Sequence, residues 1–220
     1  MVSPYVISLQ SRTATLEQSL RAQDQHILDL KARMAASVPA LGRAMHAAAK
    51  AGNVGKLLDL LRSPIAPQLV DYEDEELKTP LITAIVAGKV MAVKALLSCG
   101  AHAQPRLGFQ HTGLRAAALM GNAGIAELLL EHGADPNSQS AGARTPLQGA
   151  CFTRPGVSEK DSLRVLQLLV RNGAEIDAKN NFGETALFLA ASTGKAQHAF
   201  CLLAAGAFER LALEPTNKPC

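Results

Sequence analysis

Short apolar runs at helical spacing, each closed by a glycine and followed by a polar turn, recur along this chain. Between Gly121 and Asn137, in GNAGIAELLLEHGADPN, Ile125, Leu128 and Leu129 fall on one helical face. Gly133 then stands where a left-handed residue closes the helix. Just upstream, Thr112-Gly113-Leu114 with Ala116-Ala117 predicts a second, shorter helix. Such a pair has an apolar face that it cannot bury alone, so the pattern calls for copies of itself as neighbours.

The copies are present in register. Thr79-Pro80-Leu81, Thr112-Gly113-Leu114, Thr145-Pro146-Leu147 and Thr185-Ala186-Leu187 are separated by 33, 33 and 40 residues. The closures Gly100-Ala101, Gly133-Ala134, Gly173-Ala174 and Gly206-Ala207 step by 33, 40 and 33 residues. A weaker first unit begins at Arg43, with Ala48 and Gly52 at the offsets that Ala84 and Gly88 hold from Thr79. This pattern resembles the ankyrin repeat, whose period is about 33 residues and whose signature contains T-P-L-H-x-A. The resemblance implies an all-α solenoid of about five repeats over 41–220, at about 41–64, 74–103, 107–136, 140–176 and 180–208. At the histidine position of the signature only repeat one keeps the residue, as His46; Ile82, Arg115 and Gln148 replace it in repeats two to four. Repeat four carries seven extra residues near Arg154 to Asp161, where Pro155-Gly156 predict a loop between its helices.

Ahead of the repeats, residues 1–40 follow a different rhythm. Ser3-Pro4 predicts a helix start, and Leu9, Thr13, Leu16, Leu20, Gln23, Ile27, Leu30 and Met34 step alternately by four and three residues, the seam of a coiled coil. Pro39 is expected to stop this helix. Thr13 and Gln23 interrupt the seam, so the protein alone is expected to be largely monomeric. SLQSRTATLEQSLRAQDQHILDLKARM resembles the zipper half of a fungal-type bZIP factor without the basic half that grips DNA. The two resemblances together imply a transcription coregulator of the fungal ankyrin-repeat kind, pairing with a bZIP factor through Leu16, Leu20, Ile27 and Leu30. The alternative is a cytosolic adaptor or substrate-recruiting subunit whose first helix caps the solenoid.

Composition narrows the functional classes. Hydrophobic residues make up 48% of the chain, enough for a core, while a net charge of +3 with no clustered basic run gives no reason to expect direct nucleic-acid binding. The block Asp71-Tyr72-Glu73-Asp74-Glu75-Glu76 reads as a solvated loop. No stretch has the length and apolarity of a membrane span and no secretory leader is expected, which points to the nucleus or cytoplasm. Cys99, Cys151, Cys201 and Cys220 lack CxxC spacing, and the first three fall in predicted helices as buried, reduced residues.

Enzymatic signatures are missing. Gly55-Lys56, Gly88-Lys89 and Gly194-Lys195 imitate the end of a phosphate loop but lack its first glycine and its Ser/Thr, and read as turns between helices. No G-x-S-x-G and no metal-ligand histidine pair occurs, so no cofactor is expected and His46, His102, His111, His132 and His198 are assigned structural roles.

Recognition of a protein partner remains. The ankyrin resemblance implies contacts at hairpin tips and at the exposed ends of the inner helices. Counting back from each repeat threonine, the tips are Glu75, Glu76 and Lys78, then Gly108, Phe109 and His111, then Ala141, Gly142 and Arg144, then Asn181, Phe182 and Glu184. The inner-helix ends are Val86-Ala87, Leu119-Met120, Phe152-Thr153 and Ser192-Thr193. Phe109 and Phe182 over Leu119, Met120 and Phe152 would form an apolar strip, unless the aromatic rings fold down onto neighbouring hairpins.

Overall fold

The computed structural model describes residues 4–104, 106–107 and 111–207. The tip residues Gly108 and Phe109 lie outside the described residues, as do the side chains of Leu16 and His111 and the tail 208–220. Contacts divide the chain between Leu41 and Gly42 into two units.

Helix α1 runs Pro4–Ala51. The expected stop at Pro39 is therefore a correction, since the proline sits inside the helix. Proline removes one backbone donor and crowds the preceding turn. Beyond it, however, Met45, Ala48 and Ala49 are buried, and their packing holds the helix through the defect. In the first unit, the seam residues Leu20, Ile27 and Leu30 are exposed, as is Leu28 beside them.

The second unit is built from helix pairs. The end of α1 pairs with α2 (Val54–Leu61), and a one-turn helix α3 (Ala66–Leu69) follows. Next come α4 (Pro80–Val86) with α5 (Val90–Ser98) and α6 (Gly113–Leu119) with α7 (Ala123–Glu131). The last pairs are α8 (Pro146–Cys151) with α9 (Glu159–Arg171) and α10 (Ala186–Ser192) with α11 (Ala196–Leu202). The repeated threonines explain where the inner helices begin. Thr79, Thr112, Thr145 and Thr185 are extended N-cap residues whose hydroxyls accept from the amides of Ile82, Arg115, Gln148 and Phe188. Proline at the first helical position of α4 and α8 gives up a donor that would be unmade anyway.

Each inner helix sinks small and branched apolar residues between its neighbours. Leu81 and Ile85, Leu114 and Ala117, and Leu147 and Ala150 are buried, with Ile125, Leu129, Val165 and Leu169 closing the core from the outer helices. Between the pairs the chain forms hairpins. Asp74 to Lys78, Ser140 to Arg144 and Asn180 to Glu184 each close by a backbone bond into the carbonyl before the capping threonine. Strands β1 (Arg106–Leu107) and β2 (His111–Thr112) make the same antiparallel closure in repeat three.

Other expectations are refined. The seven-residue insertion is only partly loop, because Glu159, Lys160 and Asp161 form the first turn of α9, capped by Ser158. Its loop is anchored: the Arg154 amide donates to the Leu119 carbonyl at 3.0 Å, and Val157 packs beside Gly121. Gly55-Lys56 lies in the first turn of α2 rather than in a turn between helices. Cys99 is a correction, being exposed at the C-cap of α5 instead of buried within a helix. No helix of the described residues is long and apolar enough to cross a membrane.

Candidate protein interface

The hairpins of repeats four and five form the most elaborated surface. Asn180 is buried and organises its own turn: Oδ1 accepts from the amides of Phe182 at 2.9 Å and Glu184 at 3.0 Å, and Nδ2 donates to Glu184 Oε2 at 2.8 Å. This turn lifts Phe182 outward, leaving it 72% exposed. The Asn181 amide donates to the Gly142 carbonyl at 2.9 Å and ties the two hairpins together. Across that tie, the Arg144 guanidinium lies over the Phe182 ring, 5.6 Å from its centroid. The aromatic tip thus projects into solvent and still rests against its neighbour.

Beneath the tips is a cleft of about 190 Å³, lined by Arg115, Arg144, Phe152, Asn180, Glu184 and Leu189 with Gln148 at its base. Gln148 completes a capping box with Thr145 and donates through Nε2 to the carbonyls of Ala178 at 2.8 Å and Glu184 at 3.0 Å. Arg115 is 5% exposed; burial, and secondly the charge of Arg144, lower its guanidinium to about 10. Phe152 stands 58% exposed at the end of α8.

The remaining sequence-derived positions are placed as follows. Glu75 and Glu76 are exposed on the repeat-two hairpin, and Glu76 forms an ion pair with the half-buried Lys78 of the same hairpin. Glu76 and Lys78 border a second depression of about 430 Å³ with His46, Lys50, Asp74 and Val86. Leu119 and Met120 are half-buried rather than open, Leu119 lying under the inserted loop that bonds its carbonyl. Phe152, Arg144 and Glu184 are brought together at the cleft, with Phe182 against Arg144; Glu76 and Lys78 line the other depression, and Glu75 lines neither. Sequence reasoning missed Arg115, Gln148, Asn180 and Leu189. Asn180 had a usable signal, because it stands five residues before its threonine as Asp74 does, and both side chains accept two amides of their hairpins.

A family model described as ankyrin repeats in three copies matches residues 44–140, and one described as ankyrin repeats in many copies matches residues 157–203. The chain is 34% identical over 116 residues to human cyclin-dependent kinase inhibitor 2A, covering 52% of this chain and 69% of that protein. This chain belongs to the ankyrin-repeat family. It is also 32% identical over 165 residues to mouse inversin and 31% identical over 164 to ankyrin repeat protein nuc-2 of Neurospora crassa. Each match covers 74% of this chain but only 15% and 14% of those longer proteins. Ankyrin repeats are protein-interaction modules that generally lack enzymatic activity, and the chain is accordingly a protein-binding scaffold.

Within the ankyrin stack, buried polar groups serve as joints between repeats. His46 meets Thr83 Oγ1 at 2.9 Å and the Tyr72 carbonyl at 2.8 Å, the role Gln148 fills in repeat four. Glu159, Ser162 and His198 resemble a hydrolytic triad, with Ser162 Oγ 3.0 Å from His198 Nε2 and Glu159 Oε1 3.9 Å from Nδ1. The arrangement is wrong for nucleophilic chemistry. Ser162 and His198 are fully buried, so the pair is out of reach of a substrate, and the Ser162 hydroxyl also lies 3.0 Å from the Glu159 carbonyl, a second acceptor competing for its one proton. Lys195 closes the same joint from the turn before α11, donating to Thr153 Oγ1 at 2.7 Å. Burial, opposed by Lys195, pushes the Cys151 thiol up to about 12, which makes it unreactive.

Proposed function

We propose that this scaffold is a transcription coregulator whose N-terminal helix pairs with the zipper of a bZIP-type factor while the ankyrin stack holds a second protein. The observation that carries the reading is the heptad seam, in which Leu20, Ile27 and Leu30 are all exposed. Such a row of apolar side chains gains about 25 cal/mol for each Å² that a partner helix covers. The polar Thr13 and Gln23 positions weaken self-pairing and leave the seam to a complementary strand. On the stack, the tips at Arg144, Phe182 and Glu184, with Phe152 below them, offer aromatic anchors and an arginine, residue kinds enriched at protein interfaces.

The test mixes the full chain with a panel of synthetic bZIP zipper peptides and follows the helical circular dichroism signal. One or more peptides should pair with the wild-type chain, and Leu20→Glu should abolish pairing without changing the melting of the repeats. The similarity to cyclin-dependent kinase inhibitor 2A favours a second reading, an adaptor that acts through the stack alone with the helix as its cap. That reading predicts no pairing with any zipper, and a lowered melting midpoint for Leu20→Glu.

A further inference from the structure

The cleft under the repeat four and five hairpins is unbalanced in charge. Arg115 and Arg144 face it against a single carboxylate, Glu184, and one oxygen of that carboxylate accepts from Asn180. The other polar side chains are already occupied: Gln148 Nε2 serves two carbonyls, and Asn180 Oδ1 serves two amides. The Arg144 guanidinium lies over the Phe182 ring and makes no hydrogen bond or ion pair among the described residues, its carbonyl alone accepting from Ser140. A cation–π contact uses none of the guanidinium N–H groups as hydrogen-bond donors to another side chain, and their fork matches a carboxylate. At about 190 Å³ the cleft is below the range of roughly 300–1,000 Å³ typical of cofactor sites, and it suits one inserted side chain. Phe152 and Leu189 supply apolar wall on the same side.

We propose that this cleft receives the carboxylate side chain of an Asp or Glu in an extended segment of a partner protein, held by the N–H groups of Arg144 beside Arg115, with the partner's adjacent apolar side chain against Phe152 and Leu189. The proposal rests on the reading of the stack as a protein-docking surface. It does not depend on the zipper. The buried Arg115 charge makes the floor of the cleft electropositive, and the exposed Arg144 supplies the adjustable contact.

The experiment screens the full chain against an array of extended hexapeptides varied at a central Asp, Glu, Gln, Lys or phosphoserine between apolar residues, then titrates the captured sequences by fluorescence anisotropy. Captured peptides should carry Asp or Glu beside Leu, Ile or Phe. Replacing that Glu by Gln in the peptide should weaken binding about tenfold, as should Arg144→Gln in the protein, whose exposed position leaves the melting midpoint in place. Applied together, the two changes should cost little more than either alone, the signature of a direct pair. Captured peptides without an acid, a preference for phosphoserine, or fully additive losses would overturn the acidic assignment while leaving the docking surface in place. An array that captures nothing would overturn both.

Discussion

The hairpins of repeat two and of repeats four and five are built on one plan and place their charges differently. In repeat two, Asp74 accepts the amides of Glu76 and Lys78, and Glu76 pairs with Lys78, so the hairpin's cation is neutralised by its own carboxylate, while Asp74 also faces His46 of repeat one at 3.7 Å. In repeat five, Asn180 shapes the same turn, but the cation opposite Phe182 comes from the preceding hairpin as Arg144. A hairpin that pairs its own charges presents a finished surface. One that borrows its partner from a neighbour couples two repeats and leaves the N–H fork of a guanidinium open. The deeper packing follows the same division, since the insertion of repeat four reaches back to Leu119 and Gly121 of repeat three.

The sharpest way to break this comparison uses two glycines at equivalent turns. Gly88 and Gly121 have φ of 67° and 63°, so an added Cβ is strained at either, at about 1–2 kcal/mol. At Gly88 the nearest atom to such a Cβ is Asn122 Nδ2 at 3.9 Å, whereas at Gly121 the Cβ would collide with Val157 Cγ1. Gly121→Ala should therefore destabilise clearly more than Gly88→Ala in denaturant unfolding, and Val157→Ala should recover part of the difference. Equal losses would mean that the inserted loop does not pack on repeat three.

A smaller effect sharpens the equivalence of two joints. Removing Gln148 leaves the carbonyls of Ala178 and Glu184 without that donor, and removing His46 strips the Tyr72 carbonyl and the Thr83 hydroxyl. Gln148→Ala and His46→Ala should each cost about 1–3 kcal/mol in denaturant unfolding. Gln148→Ala should in addition relax the repeat five hairpin, visible as faster amide exchange at Phe182 and Glu184.

The smallest expected effect is on pH dependence. Burial first, and then the charge of Lys195, lower the pKa of His198, opposed by Glu159 and Ser162. A histidine whose folded pKa lies below its unfolded value near 6.5 binds more protons when unfolded, so its contribution is fully present above about 6.5 and is lost as the pH falls toward the folded value. The melting midpoint should drop between pH 7.5 and 5.5, and His198→Gln should flatten that slope; a slope unchanged by the substitution would place the titrating group elsewhere.

Most of the repeat architecture was legible because threonine caps and glycine closures act locally and recur at a fixed offset. Thr79, Thr112, Thr145 and Thr185 each start a helix through their own hydroxyl, whatever surrounds them. What was illegible depended on distant packing. Pro39 read as a stop because local propensity opposes it, yet burial of Met45, Ala48 and Ala49 outweighs one missing bond. The connection after Pro64 gave no sign of α3, whose Leu69 is buried. At the candidate surface, counting from the threonines reached Arg144, Phe182 and Glu184, but Arg115 enters the cleft from an inner helix of the neighbouring repeat. Only stacking brings it there.

The docking surface proposed on the coupled hairpins of repeats four and five has a local signature. Amide hydrogen exchange of the full chain, with and without a bound partner, tests it most directly. New protection is expected at Arg144, at Phe152 and across Asn180 to Leu189, with exchange at Asp74 to Lys78 unchanged. Protection confined to Asp74 to Lys78, or to the outer helices α5, α7 and α9, would contradict it.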